Sequence, residues 1–266
     1  MLFKDSKPLI SIITVVFNDC KNITKTIESV ISQSYSNFEF IIIDGGSKDG
    51  TVEIIKQYES YITHFVSEKD NGIYDAMNKG VHLAQAKYLY FLNSGDYFCN
   101  SDVLKRLKVH LDGSYDLVYG SIIKLFPNFE VSIASELVEL KNAKMPPHQA
   151  SCIKRDLFIE LGYYDATFIS SGDFDLMCKI LTRNYCSKKI DICVAYMLLG
   201  GMSSNKNISY SEVYQIINAY FGIWYSTKFL FTKIIIEQSI KKILLMLFLE
   251  NIYLSLLKFK MKALRY

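Results

Sequence analysis

The sequence predicts an α/β fold built on an open, mainly parallel sheet with helices on its faces. Three observations carry this. Short β-branched and aromatic runs alternate with stretches whose apolar residues recur every three or four positions, from residue 9 to about residue 120. The strand-like runs are almost continuously apolar, as strands covered on both faces are. Several of them end in polar loops rich in Gly, Ser and Asp, and open α/β sheets bind ligands beyond the carboxyl ends of their strands.

The elements follow in order. "LISIITVVF" is the first strand, and Ile23, Ile27, Val30 and Ile31 stripe a helix after it with Asn22 as cap. "FEFIIID" is the second strand; Val52, Ile55 and Tyr58 mark the next helix, capped by Asp49 or Thr51. "THFVSE" is a short strand, Ile73, Met77, Val81 and Ala84 stripe a third helix, and "KYLYFL" is the next strand. Strands alternating in this way with helices imply right-handed crossovers. The pattern then loosens. "YDLVYG" and "HQASCIK" read as strands, the second after the turn-like "MPP" at 145–147. "RDLFIEL" is a short helix ending near Gly162, another helix starts at "DFDLMCKILTR", and "IDICVAYMLL" is a strand. From Ser209 onward the chain reads as helices rich in Ile, Leu and Phe.

Composition bounds the function. With 50% hydrophobic and 21% charged residues, 266 residues make one large domain, alone or with an appended element, and exclude global disorder. The net charge of +3 is unevenly spread: residues 205–266 hold nine Lys/Arg against three Glu, so the body is slightly acidic. That distribution excludes a nucleic-acid binder and fits an anionic surface as partner of the tail. Cys20, Cys99, Cys152, Cys178, Cys186 and Cys193 form no CxxC pair, and no His stands at zinc-ligand spacing. "LISIITVVF" lacks the basic flank and cleavage site of a signal peptide, so reduced thiols in the cytosol are expected. No uncharged apolar stretch reaches spanning length, and no transmembrane helix is expected.

Carboxylates gather where ligands bind. Asp44, then Glu68 and Asp70, then Asp96 follow successive strands, and in a parallel sheet those ends lie along one edge. "NSGDYF" places Asp96 after a buried strand, with Gly95 letting backbone approach; this suits a divalent cation held by oxygen ligands and substrate phosphates.

Taken in order, "ISIITVVFN", "IIIDGGSKDGT", "SEKDNGIYDAMNKG", "YLYFLNSGDYF" and "HQASCIKRDLFIELGYYD…SGDFDLMCKI" resemble the family 2 glycosyltransferases of the GT-A fold. The likeness is strongest to the bacterial O-antigen and polysaccharide branch (WfgS-like enzymes). It runs from about residue 9 to 205, and its motifs, weak singly, are specific in this order and spacing. It implies a catalytic domain over residues 1–205, with a nucleotide-sugar half of about 1–100 and an acceptor half of about 101–205. Residues 206–266 then form C-terminal amphipathic helices.

By this resemblance Thr14, Val15 and Asn18 line the nucleotide pocket and Asp44 contacts the uracil ring. Ser47 and Asp49 belong to the same loop, Asp49 serving equally as a helix cap. Glu68, Asp70, Gly72 and Asp75 border the donor, with Asn78 on their helix. Asn93 and Ser94 join the nucleotide-sugar set, and Asp96 matches the last Asp of a metal-binding DxD motif, implying Mn²⁺ or Mg²⁺. Ser94 stands where the first acidic residue is expected. Asp173 matches the general base of the inverting enzymes; Gly172 replaces the Glu before it, and Asp175 is the reserve candidate. Asp173 is equally a favoured helix cap. His148 and Gln149 meet the diphosphate, the metal or the acceptor, or His148 is simply a packed structural residue. Gly200 and Gly201 form a loop that closes over the donor.

The implied activity is inverting transfer of a hexose, Gal or Glc before GlcNAc, from a UDP-sugar to a GlcNAc- or GalNAc-diphospho-undecaprenol acceptor. The setting is O-antigen (lipopolysaccharide), capsule or exopolysaccharide synthesis at the inner face of the bacterial cytoplasmic membrane. Two other readings stay open. One is a degenerate, non-catalytic nucleotide-sugar-binding protein, to which Ser94 and Gly172 point. The other is a nucleotidyltransferase, although "TVVFNDC" lacks the Gly-rich, basic signature that such an enzyme needs. The basic, apolar tail either lies in a membrane interface or packs on the catalytic domain or a second subunit.

Overall fold

A computed structural model describes residues 7–126, 129–133, 139–198, 206–236, 239 and 255–257. β1 (Ile10–Val16), α1 (Ile23–Ile31), β2 (Phe38–Asp44), α2 (Thr51–Lys56), β3 (His64–Ser67), α3 (Ile73–Leu83) and β4 (Tyr88–Phe91) follow the expected alternation. After them come β5 (Tyr97–Phe98), α4 (Val103–Leu107), β6 (Leu117–Phe126), β7 (Phe129–Ile133), β8 (Ser151–Lys154), α5 (Arg155–Glu160), α6 (Gly172–Leu181), β9 (Ser187–Leu198), α7 (Lys206–Phe221) and α8 (Ile223–Leu230). A π-helical turn, Phe231–Ile236, continues from α8.

The described strands form one sheet in the order β3-β2-β1-β4-β8-β6-β9-β5, with β7 paired to β6. Strands β3, β2, β1 and β4 are parallel. The chain steps outward from β1 to β3 and then returns to the other side of β1, so the order reverses between β1 and β4. Ligands of open sheets bind at such a switch point. β8 runs antiparallel to β4 and β6, which brings the residues just before β8 to the edge where β4 ends. That reversal places the later motifs beside the earlier ones.

Both faces of the sheet are covered. On one, Ile10, Ile12, Ile42 and Tyr90 pack with Ile23, Ile27 and Val30 of α1 and Val103, Leu104 and Leu107 of α4. On the other, Ile13, Ile41 and Ile43 meet Met77 and Val81 of α3 and Leu176, Met177 and Ile180 of α6. Each such side chain contributes about 1.5–3 kcal/mol by leaving water. Gly80 lets α3 lie close on β1, because a Cβ there would press into the Ile13 side chain.

Several expectations are corrected. "HQASCIK" is not strand throughout: His148–Ala150 form a 3₁₀ turn after Pro146 and Pro147, and β8 begins at Ser151. Strands β5 and β7 and helix α4, each five residues or fewer, carry too little periodicity to have been anticipated. The cap of α2 is Gly50, at φ 98°, a left-handed conformation that glycine adopts without strain. Asn22 holds the cap position of α1, but its amide binds the Asp19 carboxylate at 2.6 Å instead of a helix N–H.

The start of the tail packs against the later part of the α/β domain. Val213, Ile216 and Ile217 of α7 and Phe229 of α8 share a buried cluster with Leu140 and with Phe174 and Cys178 of α6. The Glu212 carboxylate accepts the Ile169 and Ser170 N–H groups at 2.6 and 2.9 Å, fixing the loop that leads into α6. No helix among the described residues is long and apolar enough to cross a membrane.

Candidate active site

The loops after β1 and β2 are tied together by their own side chains. The Asn18 N–H donates to Ser47 Oγ at 2.7 Å, and Asn18 Oδ1 accepts the Lys48 N–H at 2.9 Å. The Cys20 N–H donates to Asp49 Oδ2, while Asp49 Oδ1 takes the N–H and hydroxyl of Thr51. These bonds, the Thr51 hydroxyl first, hold the Asp49 carboxyl well below the usual range. Asp49 therefore joins the two loops with both oxygens occupied.

Asp44 sits at the end of β2, fully buried. Its Oδ2 accepts the Gly46 and Ser47 N–H groups at 3.0 Å and the Ser67 hydroxyl at 2.7 Å. Its Oδ1 is buried with no partner in the protein. A buried acceptor without a donor is costly, by about 1–3 kcal/mol, and is an observation that a ligand N–H would explain. Nearby, the missing side chain of Gly45 makes room for the Asp70 carboxylate and the Phe17 ring. Phe17 is 63% exposed at this edge and was not anticipated. It presents an aromatic face beside Gly45, next to Asp44 in the chain.

Thr14 and Val15, expected to line the pocket, have their side chains in the core. The Thr14 hydroxyl donates to the Leu92 carbonyl at 2.7 Å, and the Val15 carbonyl accepts the Ser94 N–H at 3.1 Å. Both position the ends of β1 and β4 from within. Glu68 and Asp75 flank Lys79 at 2.8 and 3.6 Å, and Asp75 also accepts the Asn71 N–H. Asp70 Oδ1 accepts the Gly72 N–H at 3.0 Å, and Asn78 spans both ways to the Tyr164 backbone. This stretch borders the pocket by shaping its loop. Gly200 and Gly201 lie outside the described residues.

Asp96 is 5% exposed, and its Oδ1 accepts the Leu198 N–H at 3.0 Å. Burial raises its carboxyl to about 6, against the pull of His148, the Leu198 N–H and Gln149. Gln149 is buried too, and its carbonyl accepts the Tyr90 hydroxyl. The side chain supports Asp96 from the core side. At the Ser94 departure the structure supplies a replacement: Ser94 Oγ donates to Asp19 Oδ2 at 2.7 Å, so a carboxylate from the loop after β1 stands next to the Ser-Gly-Asp turn. These donors are all oxygens, which suits a hard divalent cation. Among the described residues no three His, Cys, Asp or Glu side chains converge on one point, so such a cation would need the donor diphosphate to complete its shell.

Asp173 opens α6 on this same edge. Its Oδ1 accepts the Tyr74 hydroxyl at 3.2 Å and the Phe174 N–H at 2.9 Å; its Oδ2 pairs with His148 Nδ1 at 3.0 Å. His148 Nε2 in turn lies 3.4 Å from Asn93 Nδ2. A chain Asn93–His148–Asp173 thus runs from the loop after β4 to the start of α6. An ionised carboxylate has about four acceptor sites, so three being filled leaves one, on Oδ2, for an incoming hydroxyl. Lys124 of β6 lies near: burial holds its ammonium below the usual range, against the attraction of Asp173. Asp175 does not join them. It faces α7, bound to Lys179 at 2.8 Å and to the Tyr220 hydroxyl at 3.1 Å, and is structural.

A buried carboxylate with an unpartnered oxygen at the switch point, the acidic Asp19–Ser94–Asp96 turn and the bracketed carboxylate of Asp173 thus lie along one edge of the sheet. The comparisons give the class. Residues 11–163 match the profile of Glycosyl transferase family 2, and the chain belongs to that family. A PGL/p-HBAD biosynthesis glycosyltransferase of Mycobacterium tuberculosis (strain ATCC 25177 / H37Ra) is 33% identical over 208 residues, covering 74% of this chain and 80% of the relative. Glycosyltransferase AglE of Haloferax volcanii is 33% identical over 182 residues, covering 62% of this chain and 59% of its own. Among solved structures, S. aureus TarS 1–349 in complex with UDP-GlcNAc superposes with a TM-score of 0.66 at 20% identity, over 80% of this chain and 66% of that one. The mannosyltransferase PcManGT from Pyrobaculum calidifontis, in complex with GDP-Man and Mn²⁺, gives 0.62 at 15% identity, over 80% and 64%. This chain thus spans slightly less than two thirds of these solved chains. The structural likeness shows the fold; the family rests on the sequence.

Proposed function

We propose that this glycosyltransferase moves a hexose, galactose or glucose, from a UDP-sugar to a hydroxyl of a lipid-linked acceptor sugar with inversion. The observation that carries it is Asp44: a buried carboxylate with one oxygen saturated and the other unpartnered, at the switch point of the sheet. The N3–H of uracil is a donor of the kind that oxygen lacks, and the exposed Phe17 ring offers a stacking face. The UDP-GlcNAc bound by TarS supports a uridine donor.

Asp173 takes the proton from the acceptor hydroxyl on its free Oδ2 site. The hydroxyl oxygen forms a bond to the anomeric carbon as the bond from that carbon to the diphosphate breaks, and UDP leaves from the opposite face. Asp96, with Ser94 and Asp19 beside it, would hold a divalent cation whose chemistry is to neutralise charge on the leaving diphosphate. His148 orients the base and links it through Asn93 to the loop that carries Asp96.

Two contacts support a catalytic protein over a degenerate, non-catalytic one. Asp19 stands against Ser94, and the Tyr74 ring lies over Gly172, so each departure has a neighbour in its place. A direct test is calorimetry with UDP, GDP and CDP. UDP should bind most tightly, and Asp44→Asn should weaken it by at least about tenfold, since an amide sets a donor against a donor. Equal affinity for the three nucleotides, or an unchanged variant, would contradict the assignment.

The acceptor proposed is GlcNAc- or GalNAc-diphospho-undecaprenol in O-antigen, capsule or exopolysaccharide synthesis. The support is the tail, whose basic residues and exposed apolar side chains Ile223, Trp224 (75% exposed), Phe231 and Ile235 suit an anionic membrane surface at the inner face of the cytoplasmic membrane. Because α7 braces α6, truncation near residue 210 would injure the catalytic half, and surface substitution is the cleaner test. Ile223→Ser/Trp224→Ser should reduce flotation with phosphatidylglycerol vesicles severalfold at unchanged solution turnover. Undiminished flotation would refute membrane docking through α8.

A further inference from the structure

We propose that Tyr74 is the positioning residue of the catalytic base, its ring filling the space that the acidic residue before the base would otherwise take. The proposal rests on Asp173 being that base. Three observations converge on the tyrosine. Its hydroxyl donates to Asp173 Oδ1 at 3.2 Å, and so closes the oxygen that also accepts the Phe174 N–H. A Cβ built at Gly172 would lie 3.0 Å from each of three Tyr74 ring atoms, so a side chain at 172 needs this ring to give by a few tenths of an ångström. The ring is itself fixed: Tyr74 is 5% exposed and packs on Tyr164 with centroids 5.1 Å apart.

The consequence is steric and electronic together. The last torsion of an aspartate is broad and roughly two-fold, so a carboxylate at a helix start needs partners on both oxygens to stay put. Tyr74 clamps one and His148 the other, at 3.0 Å. With Oδ1 doubly occupied, the remaining acceptor site is on Oδ2. Burial and the adjacent Asp173 raise the phenol far above its usual value, so Tyr74 keeps its proton and donates throughout the working pH range. Gly172 and Tyr74 are then one device split between two elements. The small residue on α6 has meaning only because α3 presents a ring to it.

The test uses the full chain, the UDP-hexose that it turns over (UDP-galactose or UDP-glucose) and a GlcNAc-diphosphate lipid. Tyr74→Phe keeps the ring and removes the donor. It should lower kcat by about ten- to a hundredfold, the worth of a hydrogen bond to a charged group, with the donor KM, UDP affinity and unfolding temperature unchanged. Gly172→Glu alone should be impaired, because its Cβ displaces the ring that holds Asp173, and Tyr74→Ala should be crippled. The double variant Tyr74→Ala/Gly172→Glu should recover at least about tenfold over Tyr74→Ala. A Tyr74→Phe enzyme with wild-type kcat overturns the proposal, as does a loss spread over KM and unfolding temperature, which marks a merely structural ring. A double variant no better than Tyr74→Ala overturns the exchange of ring for acid. If Asp173→Asn turns over normally, the base assignment fails whatever Tyr74 does, so the two failures are separable.

Discussion

Replacing Asp173 by asparagine should lower transfer by about 10²–10⁴-fold while leaving UDP affinity within about twofold. Asparagine keeps an oxygen for the Tyr74 hydroxyl and the Phe174 N–H, so the start of α6 stays in place. What it loses is the second carboxylate oxygen, which pairs with His148 and, in the proposed mechanism, receives the acceptor proton. The proposed nucleotide contacts lie elsewhere, on the loops after β1 and β2. Single-turnover measurement at saturating donor separates the two effects: the chemical step falls and nucleotide binding does not. Near wild-type turnover would remove Asp173 from the mechanism and return it to a helix cap.

Asp96→Asn should move activity and stability in opposite directions. Burial raises the folded-state carboxyl from 3.8 to about 6, so ionising it within the fold is unfavourable. Between about pH 4 and 6 the unfolded chain gives up this proton before the folded one does, and stability declines as pH rises through that window. Above it the penalty is complete, roughly 3 kcal/mol for about two units at 1.36 kcal/mol each. Asparagine removes the charge and keeps an acceptor for the Leu198 N–H. In EDTA at pH 7 the variant should therefore unfold later than the parent by about that amount, and at pH 4 the two should coincide. Metal-supported transfer should fall by more than about a hundredfold, beyond the loss typical of altering a ligand's outer partners. A variant less stable at pH 7 would mean that Asp96 is held by structural bonds, not strained by burial.

The two halves of the chain were unequally legible. From β1 to β4 the periods of two and of three to four are clean, and parallel strands place Asp44, Glu68, Asp70 and Asp96 along one edge by topology alone. After β4 many elements are shorter and β8 runs antiparallel. His148 reaches the edge because it precedes a reversed strand, and a strand reading of "HQASCIK" concealed its turn. Tyr74 was hidden differently. It lies in a helix whose stripe was taken as Ile73, Met77 and Val81, and its partner Gly172 showed in the sequence only as a missing side chain. Asp19 carries no sequence signal, because it meets Ser94 only through a loop 75 residues away. Glu212 belongs to a segment read as a membrane tail, yet it fixes the approach to Asp173. Thr14 and Val15 erred toward function because a strand end shows which positions are near a pocket, not which way their side chains turn.

The central claim is that one edge of this sheet activates a UDP-hexose toward an acceptor hydroxyl. The measurement that tests it most directly is UDP release from UDP-galactose, UDP-glucose and UDP-GlcNAc, with and without Mn²⁺, in the presence of a GlcNAc-diphosphate-lipid acceptor. The account predicts acceptor-dependent release with one hexose donor, raised by Mn²⁺ and abolished by Asp173→Asn. Release that ignores the acceptor, or that persists undiminished in Asp173→Asn, would contradict it.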